Sequence, residues 1–267
     1  KKYGFPDKFR TCFGKNAEES VFEAASVLSE ARLIKSVTLS RQTTCPAALE
    51  AVGRKNVSQE TFDRLQDRYA EAGIPTYSEL ILGLPGETLE SWKRSILDSM
   101  RKETQLFLYP CSVLPGTRMA DLDYRIEHGI RTRRVLLTPV HCVPPVVDEF
   151  EDLVVETNTM DPEEWRETFV LGLLVQLFYS FRLESGTPGE LVSMAENPPE
   201  RWARQAGYFR KVADRLLAGG GRCEVDPRWG PTYWEPEEIA YLETGGISGA
   251  DAAVKALMHA RKSGMKK

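Results

Sequence analysis

Residues 78–92 read "SELILGLPGETLESW" (Ser78–Trp92). An apolar run stops at Gly83, a Gly-Leu-Pro-Gly-Glu-Thr turn follows, and apolar residues resume beyond Leu89 at helical spacing. Over Thr76–Leu82 the side chains alternate between two faces. Tyr77, Glu79 and Ile81 share one; Ser78, Leu80 and Leu82 share the other. A strand that turns directly into a helix opens a βα unit. Its turn is either a well-made connection or the ligand-binding edge of an α/β fold.

The neighbouring sequence repeats the pattern. Upstream, Ser58 caps a helix whose apolar stripe is Phe62, Leu65, Tyr69 and Ala72, stopped by Gly73. "KSVTLS" (Lys35–Ser40) precedes it as a strand. Before that, Asn16 and Glu19 form a capping pair ahead of Val21, Ala24, Ala25 and Leu28, and "FRTCF" (Phe9–Phe13) reads as the first strand. Downstream, Thr88 caps a helix carrying Trp92, Ile96 and Met100, and "QLFLYPC" (Gln105–Cys111) is a fourth strand. Strands and helices alternating in this way predict an α/β fold with parallel strands. About four βα units make residues 1–125 a partial (β/α) TIM-type barrel.

Past residue 125 the rhythm changes. "LTPVHCVPPVVDEF" is irregular and proline-rich, and marks a boundary. Asp161-Pro162-Glu163-Glu164 then supplies an N-cap, a first-turn proline and a capping glutamate for a long helix, Pro162–Leu183. "PERWARQAGYFRKVADRLLAGGG" reads as a helix stopped by glycines, and "WEPEEIAYLETGG" as a short one. Residues 126–267 are therefore expected to form a mainly helical C-terminal domain.

In parallel α/β folds ligands bind beyond the C-terminal ends of the strands. Those ends carry "GKN" (Gly14–Asn16), "SRQTTCP" (Ser40–Pro46), "GLPGET" (Gly83–Thr88) and "YPCSVLPGT" (Tyr109–Thr117). The apolar Leu80 and Leu82 suit the helix-covered face, so Glu79 points inward. A buried carboxylate needs a partner, either an interior arginine or a ligand. Gln42 both donates and accepts hydrogen bonds, and Arg54 can grip a carboxylate with two. The turn has no Walker lysine and no G-x-G-x-x-G, so its signal for a phosphate loop is weak.

Composition narrows the function classes. A formal charge of −4 and a pI near 5.6 argue against a nucleic-acid partner. The longest apolar stretch, Phe169–Phe181, is too short to span a bilayer and reads as a buried helix. Cys12, Cys45, Cys111, Cys142 and Cys223 form no C-x-x-C pair, and His128, His141 and His259 are isolated. That pattern fits neither a disulfide framework nor a local metal site, and suits a reduced, cytoplasmic protein. No signal peptide is visible.

Residues 42–92, "QTTCPAALEAVGRKNVSQETFDRLQDRYAEAGIPTYSELILGLPGETLESW", resemble the second half of a radical S-adenosylmethionine (radical SAM) enzyme. The shared order is a Gln, a Leu-x-x-x-x-Arg, a helix, and a strand ending in Gly-Leu-Pro-Gly-Glu-Thr. "LPGT" (Leu114–Thr117) and "WEPEEIAYL" resemble the subgroup of Fe-S oxidoreductases with a cobalamin-binding domain. The resemblance implies that Gln42, Arg54 and Glu79 hold the ribose, carboxylate and amino parts of S-adenosylmethionine. Ile81 and the backbone at Tyr109 match adenine contacts, and Asn16 is a further candidate. It also implies a [4Fe-4S] cluster that reductively cleaves S-adenosylmethionine, and cobalamin where methyl groups are transferred.

The family's cluster motif, C-x-x-x-C-x-x-C, is absent. The four strands match the third to sixth of the family barrel, so the cluster loop is expected upstream, in an N-terminal half of the same protein. On that reading the chain is the C-terminal portion of an oxidoreductase or methyltransferase and is inactive alone. Its substrate, a small molecule or peptide, is not legible. The alternative is a non-catalytic binding or assembly module: a half barrel whose open sheet edge pairs in a homodimer.

Overall fold

The computed structural model describes residues 18–100, 104–137, 149–219, 225–226 and 230–231, together with Phe9 and Thr11. The first strand expected at 9–13, Asn16, residues 138–148 and the helix expected near Trp234 lie outside the described residues, wholly or in the main.

α1 (Glu18–Glu30) leads to β1 (Val37–Thr38), α2 (Pro46–Ala51), α3 (Gln59–Glu71), β2 (Thr76–Leu82), α4 (Leu89–Ser99) and β3 (Gln105–Pro110). β1, β2 and β3 form a parallel sheet in that order, with Val37 opposite Thr76 and Ile81 opposite Tyr109. The limits of β2 are those the alternation predicts. Ser78, Leu80 and Leu82 are buried, while Tyr77, Glu79 and Ile81 are half-buried.

The caps form as expected. Ser58 Oγ accepts from Thr61 N at 3.1 Å, and Thr88 Oγ1 accepts from Ser91 N at 3.1 Å, with Ser91 Oγ in turn accepting from Thr88 N. Each cap satisfies amides that the first helical turn leaves without a partner. The apolar sides of α3 (Phe62, Leu65, Tyr69) and α4 (Trp92, Ile96) are buried.

Beyond β3 the chain departs from a barrel. Cys111 N donates to Leu82 O at 2.8 Å, and Cys111 O accepts from Val154 N at 2.8 Å. Cys111 therefore joins the parallel sheet to a second, antiparallel one. β4 (Ser112–Val113), β5 (Arg131–Leu137) and β6 (Glu149–Glu156) form it in the order β4-β6-β5. The fold is mixed α/β with three parallel strands among the described residues, and those residues do not close a barrel. The boundary expected at residue 125 falls inside α5 (Leu122–Glu127), and β4 on one side of it pairs with β6 on the other. The described residues beyond 126 thus combine helices with β5, β6 and a short antiparallel pair, Val225–Asp226 with Gly230–Pro231.

α6 (Pro162–Val175) begins where the capping signals place it. Asp161 Oδ1 accepts from Glu163 N and Glu164 N, and Glu164 Oε2 accepts from Asp161 N. It stops short of Leu183 because the last turn widens to a π-helix, Gln176–Ser180. There the Ser180 hydroxyl bonds both Leu106 N and Leu106 O at 2.8 Å, tying that turn to β3. α6 lies close over the sheet at Gly172, where a Cβ would stand 2.8 Å from Leu108 Cδ1. α7 (Pro188–Glu196) and α8 (Ala203–Ala218) pack around α6, and Gly219 at φ 54° ends α8. The main core unites Leu80, Leu82, Trp92, Leu106, Leu108, Trp165 and Phe169 with Phe209 and Val212 of α8. No helix among the described residues is long and apolar enough to cross a membrane.

Candidate functional site

Three segments meet at the C-terminal end of the parallel sheet. The segment after β1 rejoins β2: Gln42 N donates to Glu79 O at 2.9 Å, and Ile81 N donates to Gln42 O at 2.7 Å. Gln42 therefore sits directly between two other candidate residues. It does so with φ at 66°, a left-handed conformation that costs a non-glycine residue on the order of 1 kcal/mol. Ser40 Oγ adds a bond to Glu79 O at 3.0 Å.

β3 brings the next candidates. Its register sets Phe107 beside Glu79 and Tyr109 beside Ile81, so these side chains share the half-buried face. The Tyr77 and Phe107 rings meet edge to face, centroids 5.6 Å apart. Gln42, Glu79, Ile81 and Tyr109 are thus assembled by backbone pairing alone. Arg54 is exposed on the turn after α2, with its amide bonded to Leu49 O at 2.8 Å. It lies two residues from Val52, which packs against the same small core as Ile81.

The turn Gly83–Thr88 is more than a connection. Gly86 has φ 84°, and a Cβ there would stand 2.9 Å from Ala47 C, so only glycine lets the turn lie against α2. Glu87, one residue on, is fully buried. Its Oε1 accepts from Thr43 Oγ1 at 2.8 Å, Ser95 Oγ at 3.4 Å and Ser91 Oγ at 3.5 Å. Its backbone oxygen accepts from Thr159 Oγ1 at 2.7 Å. Burial is the largest influence on the Glu87 carboxyl and raises its pKa to about 7, against the opposing pull of the three hydroxyls. Around it, Thr44 N donates to Ser95 Oγ at 3.0 Å, Cys45 N to Thr43 Oγ1 at 3.0 Å, and Asn56 Nδ2 to Thr43 O at 2.7 Å.

Sequence reasoning did not single out Glu87. The partial signal is the pair Ser91 and Ser95, one turn apart on α4: both reach Glu87, and Ser95 also reaches Thr43 and Thr44. Arg41 was missed too. It is buried, stacks over the Phe62 ring at 4.1 Å, bonds Gln59 Oε1, and donates to Asp98 O at 2.7 Å.

Cys45 and Cys111 are free and buried. Burial pushes the Cys111 thiol up to about 12, which suits an apolar filler and not a nucleophile or ligand. A [4Fe-4S] cluster needs several thiolates side by side. Among the described residues no group of three or more His, Cys, Asp or Glu could hold a metal ion, so they do not fit such a cluster. The half-buried face, with a carboxylate, a neighbouring glutamine and flanking aromatic and aliphatic side chains, does fit a polar ligand with an aromatic part.

No family model matches the chain. Over 182 residues it is 34% identical to the cobalamin-dependent radical SAM methyltransferase TokK of Streptomyces tokunonensis. Over 181 residues it is 35% identical to the 2-(S-pantetheinyl)-carbapenam-3-carboxylate methyltransferase of Streptantibioticus cattleyicolor. Each match covers 66% of the chain and 26% of the relative, so the chain spans about a quarter of the length of the curated relatives it matches. Among solved structures, the radical S-adenosylmethionine methyltransferase TsrM from Kitasatospora setae, with cobalamin and a [4Fe-4S] cluster bound, is similar at 18% identity. That likeness covers 90% of the chain and 44% of TsrM at a TM-score of 0.33.

Proposed function

Because the chain is a homologue of part of the cobalamin-dependent radical SAM methyltransferases, we propose that it supplies the S-adenosylmethionine-holding strands of such an enzyme. One observation carries the reading: Gln42, Glu79, Ile81 and Tyr109, scattered over the sequence, are joined by backbone pairing at one end of the parallel sheet.

The roles follow from the groups. The Glu79 carboxylate is suited to an ammonium, the Gln42 amide to a pair of ribose hydroxyls, and the Arg54 guanidinium to a carboxylate held by two bonds. Ile81 offers an apolar contact to adenine, and the backbone at Tyr109 offers hydrogen bonds. Bound S-adenosylmethionine supplies the carbon group that such a methyltransferase moves or activates. The cluster ligands are proposed to come from residues other than these, since the sequence has no C-x-x-x-C-x-x-C. Cobalamin and methyl transfer belong to the same proposal for the longer assembly.

Titration calorimetry of S-adenosylmethionine into the chain tests the reading. Saturable binding is expected, weakened roughly tenfold or more by Glu79→Gln or Gln42→Ala, the usual size for loss of a charge-assisted or paired hydrogen bond. An absence of binding, or binding that neither substitution weakens, overturns it and favours the assembly-module alternative.

A further inference from the structure

Glu87 has no place among the ligand-holding residues, yet it is the most enclosed carboxyl in the site. It joins three segments: Thr43 from the turn after β1, Ser91 and Ser95 from α4, and Thr159 through its backbone oxygen. The first of these is decisive, because Thr43 follows Gln42, whose left-handed backbone needs the surrounding structure to hold it. Removing the Glu87 acceptor leaves the Thr43 hydroxyl, which also holds the Cys45 amide, on its longer 3.4 Å contact with Ser95 Oγ.

We propose that Glu87 is the positioning residue for Gln42, clamping the turn after β1 through Thr43 so that Gln42 stays seated between Glu79 and Ile81. The proposal rests on the S-adenosylmethionine reading for its consequence and on the hydrogen-bond network for its existence. Two influences oppose each other at this carboxyl: the hydroxyl bonds to Oε1 strengthen on ionisation, while burial favours the neutral form and prevails. The side chains bonded to it are all hydroxyls, and no charged group contributes to its raised pKa. Asp98 comes near through the Thr44 hydroxyl, which donates to its Oδ2 at 3.1 Å; from the α2 side come the Cys45 thiol, donating to Gly86 O at 3.5 Å, and Ala47. Ionisation leaves the buried Oε2, which has no hydrogen-bond partner among the described residues, carrying charge, and water or movement of the turn must then solvate it.

The test is nuclear magnetic resonance of the chain from about pH 5 to about pH 9. In the wild type the backbone and side-chain amide signals of Gln42 should titrate with the midpoint of the Glu87 carboxyl carbon, while those of Phe209 and Val212 in α8 stay still. In Glu87→Gln, which keeps an acceptor but cannot ionise, the Gln42 signals should not titrate. Gln42 signals that ignore the Glu87 midpoint, or that titrate equally in Glu87→Gln, overturn the proposal. A second arm measures S-adenosylmethionine affinity. Glu87→Ala should weaken it roughly tenfold, the loss of one buried hydrogen-bonded link, and Glu87→Gln should recover most of it. If Glu87→Ala does not fold, the titration still decides. If Gln42 titrates as stated and the wild type binds no S-adenosylmethionine, the clamp stands and the ligand reading falls.

Discussion

Thr43 Oγ1 donates to Glu87 Oε1 at 2.8 Å, and this bond spans 44 positions of sequence to lock the turn after β1 onto the turn after β2. The two turns are the ones most dense in polar and glycine residues. Joined, they present Gln42 and Glu79 from one rigid edge, as a binding constellation requires.

Burial of the Glu87 carboxyl makes stability depend on pH, and the Thr43 bond only partly opposes it. The Glu87 pKa is raised in the fold to about 7 from an ordinary 4.5, so the folded chain holds a proton that the unfolded chain has released. Its contribution is fully present below about pH 4.5 and is lost as pH rises to about 7, at up to roughly 1.4 kcal/mol per pH unit. Above that range the loss levels off. Urea denaturation of wild type and Glu87→Gln at several pH values should show this decline in the wild type alone.

Gly86 is the second fastening of the same turn. Gly86→Ala forces a Cβ to within 2.9 Å of the Ala47 backbone at φ 84°, with no flexible side chain to yield. The expected cost is about 2–4 kcal/mol, combining the left-handed penalty with overpacking. A urea midpoint lowered at unchanged slope would register it, whereas a loss below about 0.5 kcal/mol would mean that α2 moves freely from the turn.

Much of this edge is legible in sequence because its determinants are local. The limits of β2 follow from the alternation of Ser78, Leu80 and Leu82 against Tyr77, Glu79 and Ile81, and the starts of α3, α4 and α6 follow from Ser58, Thr88 and Asp161. The antiparallel sheet is not legible. β5 carries Arg131, Arg133 and Arg134, and β6 carries Glu149, Glu151, Asp152 and Glu156, so neither shows an apolar alternation. Their pairing is non-local, with the Arg131 guanidinium 3.3 Å from Glu156 and Arg134 stacked over the Phe150 ring at 4.6 Å. Glu87 was hidden for a similar reason. Its burial is created by α4 and the turn after β1 closing over it, and nothing within "GLPGET" announces that closure.

The cysteines allow a prediction about iron. With Cys45 and Cys111 buried and the Cys111 thiol pushed up to about 12, native chain treated with iodoacetamide near neutral pH should leave both unmodified in peptide mass spectra. Reconstitution with iron and sulfide should likewise give no stoichiometric cluster absorbance. A full complement of iron and sulfide in the isolated chain would overturn the proposal that the cluster ligands come from a C-x-x-x-C-x-x-C motif this sequence does not contain.

Gln42 separates the needs of the fold from those of the ligand. Its φ of 66° is one that glycine adopts without penalty, so Gln42→Gly removes strain worth on the order of 1 kcal/mol, partly offset by the greater freedom of glycine in the unfolded chain. The backbone bonds to Glu79 O and from Ile81 N survive the change, because they use only main-chain atoms. Stability should therefore be unchanged or rise by up to about 1 kcal/mol. Affinity for S-adenosylmethionine should fall roughly tenfold with the lost amide. Retaining a strained residue where glycine would fold more easily is the trade expected at a site selected for binding. Urea unfolding and calorimetry on the same variant decide it. A variant that loses stability assigns the glutamine side chain to the fold, and one that keeps full affinity removes it from the ligand site.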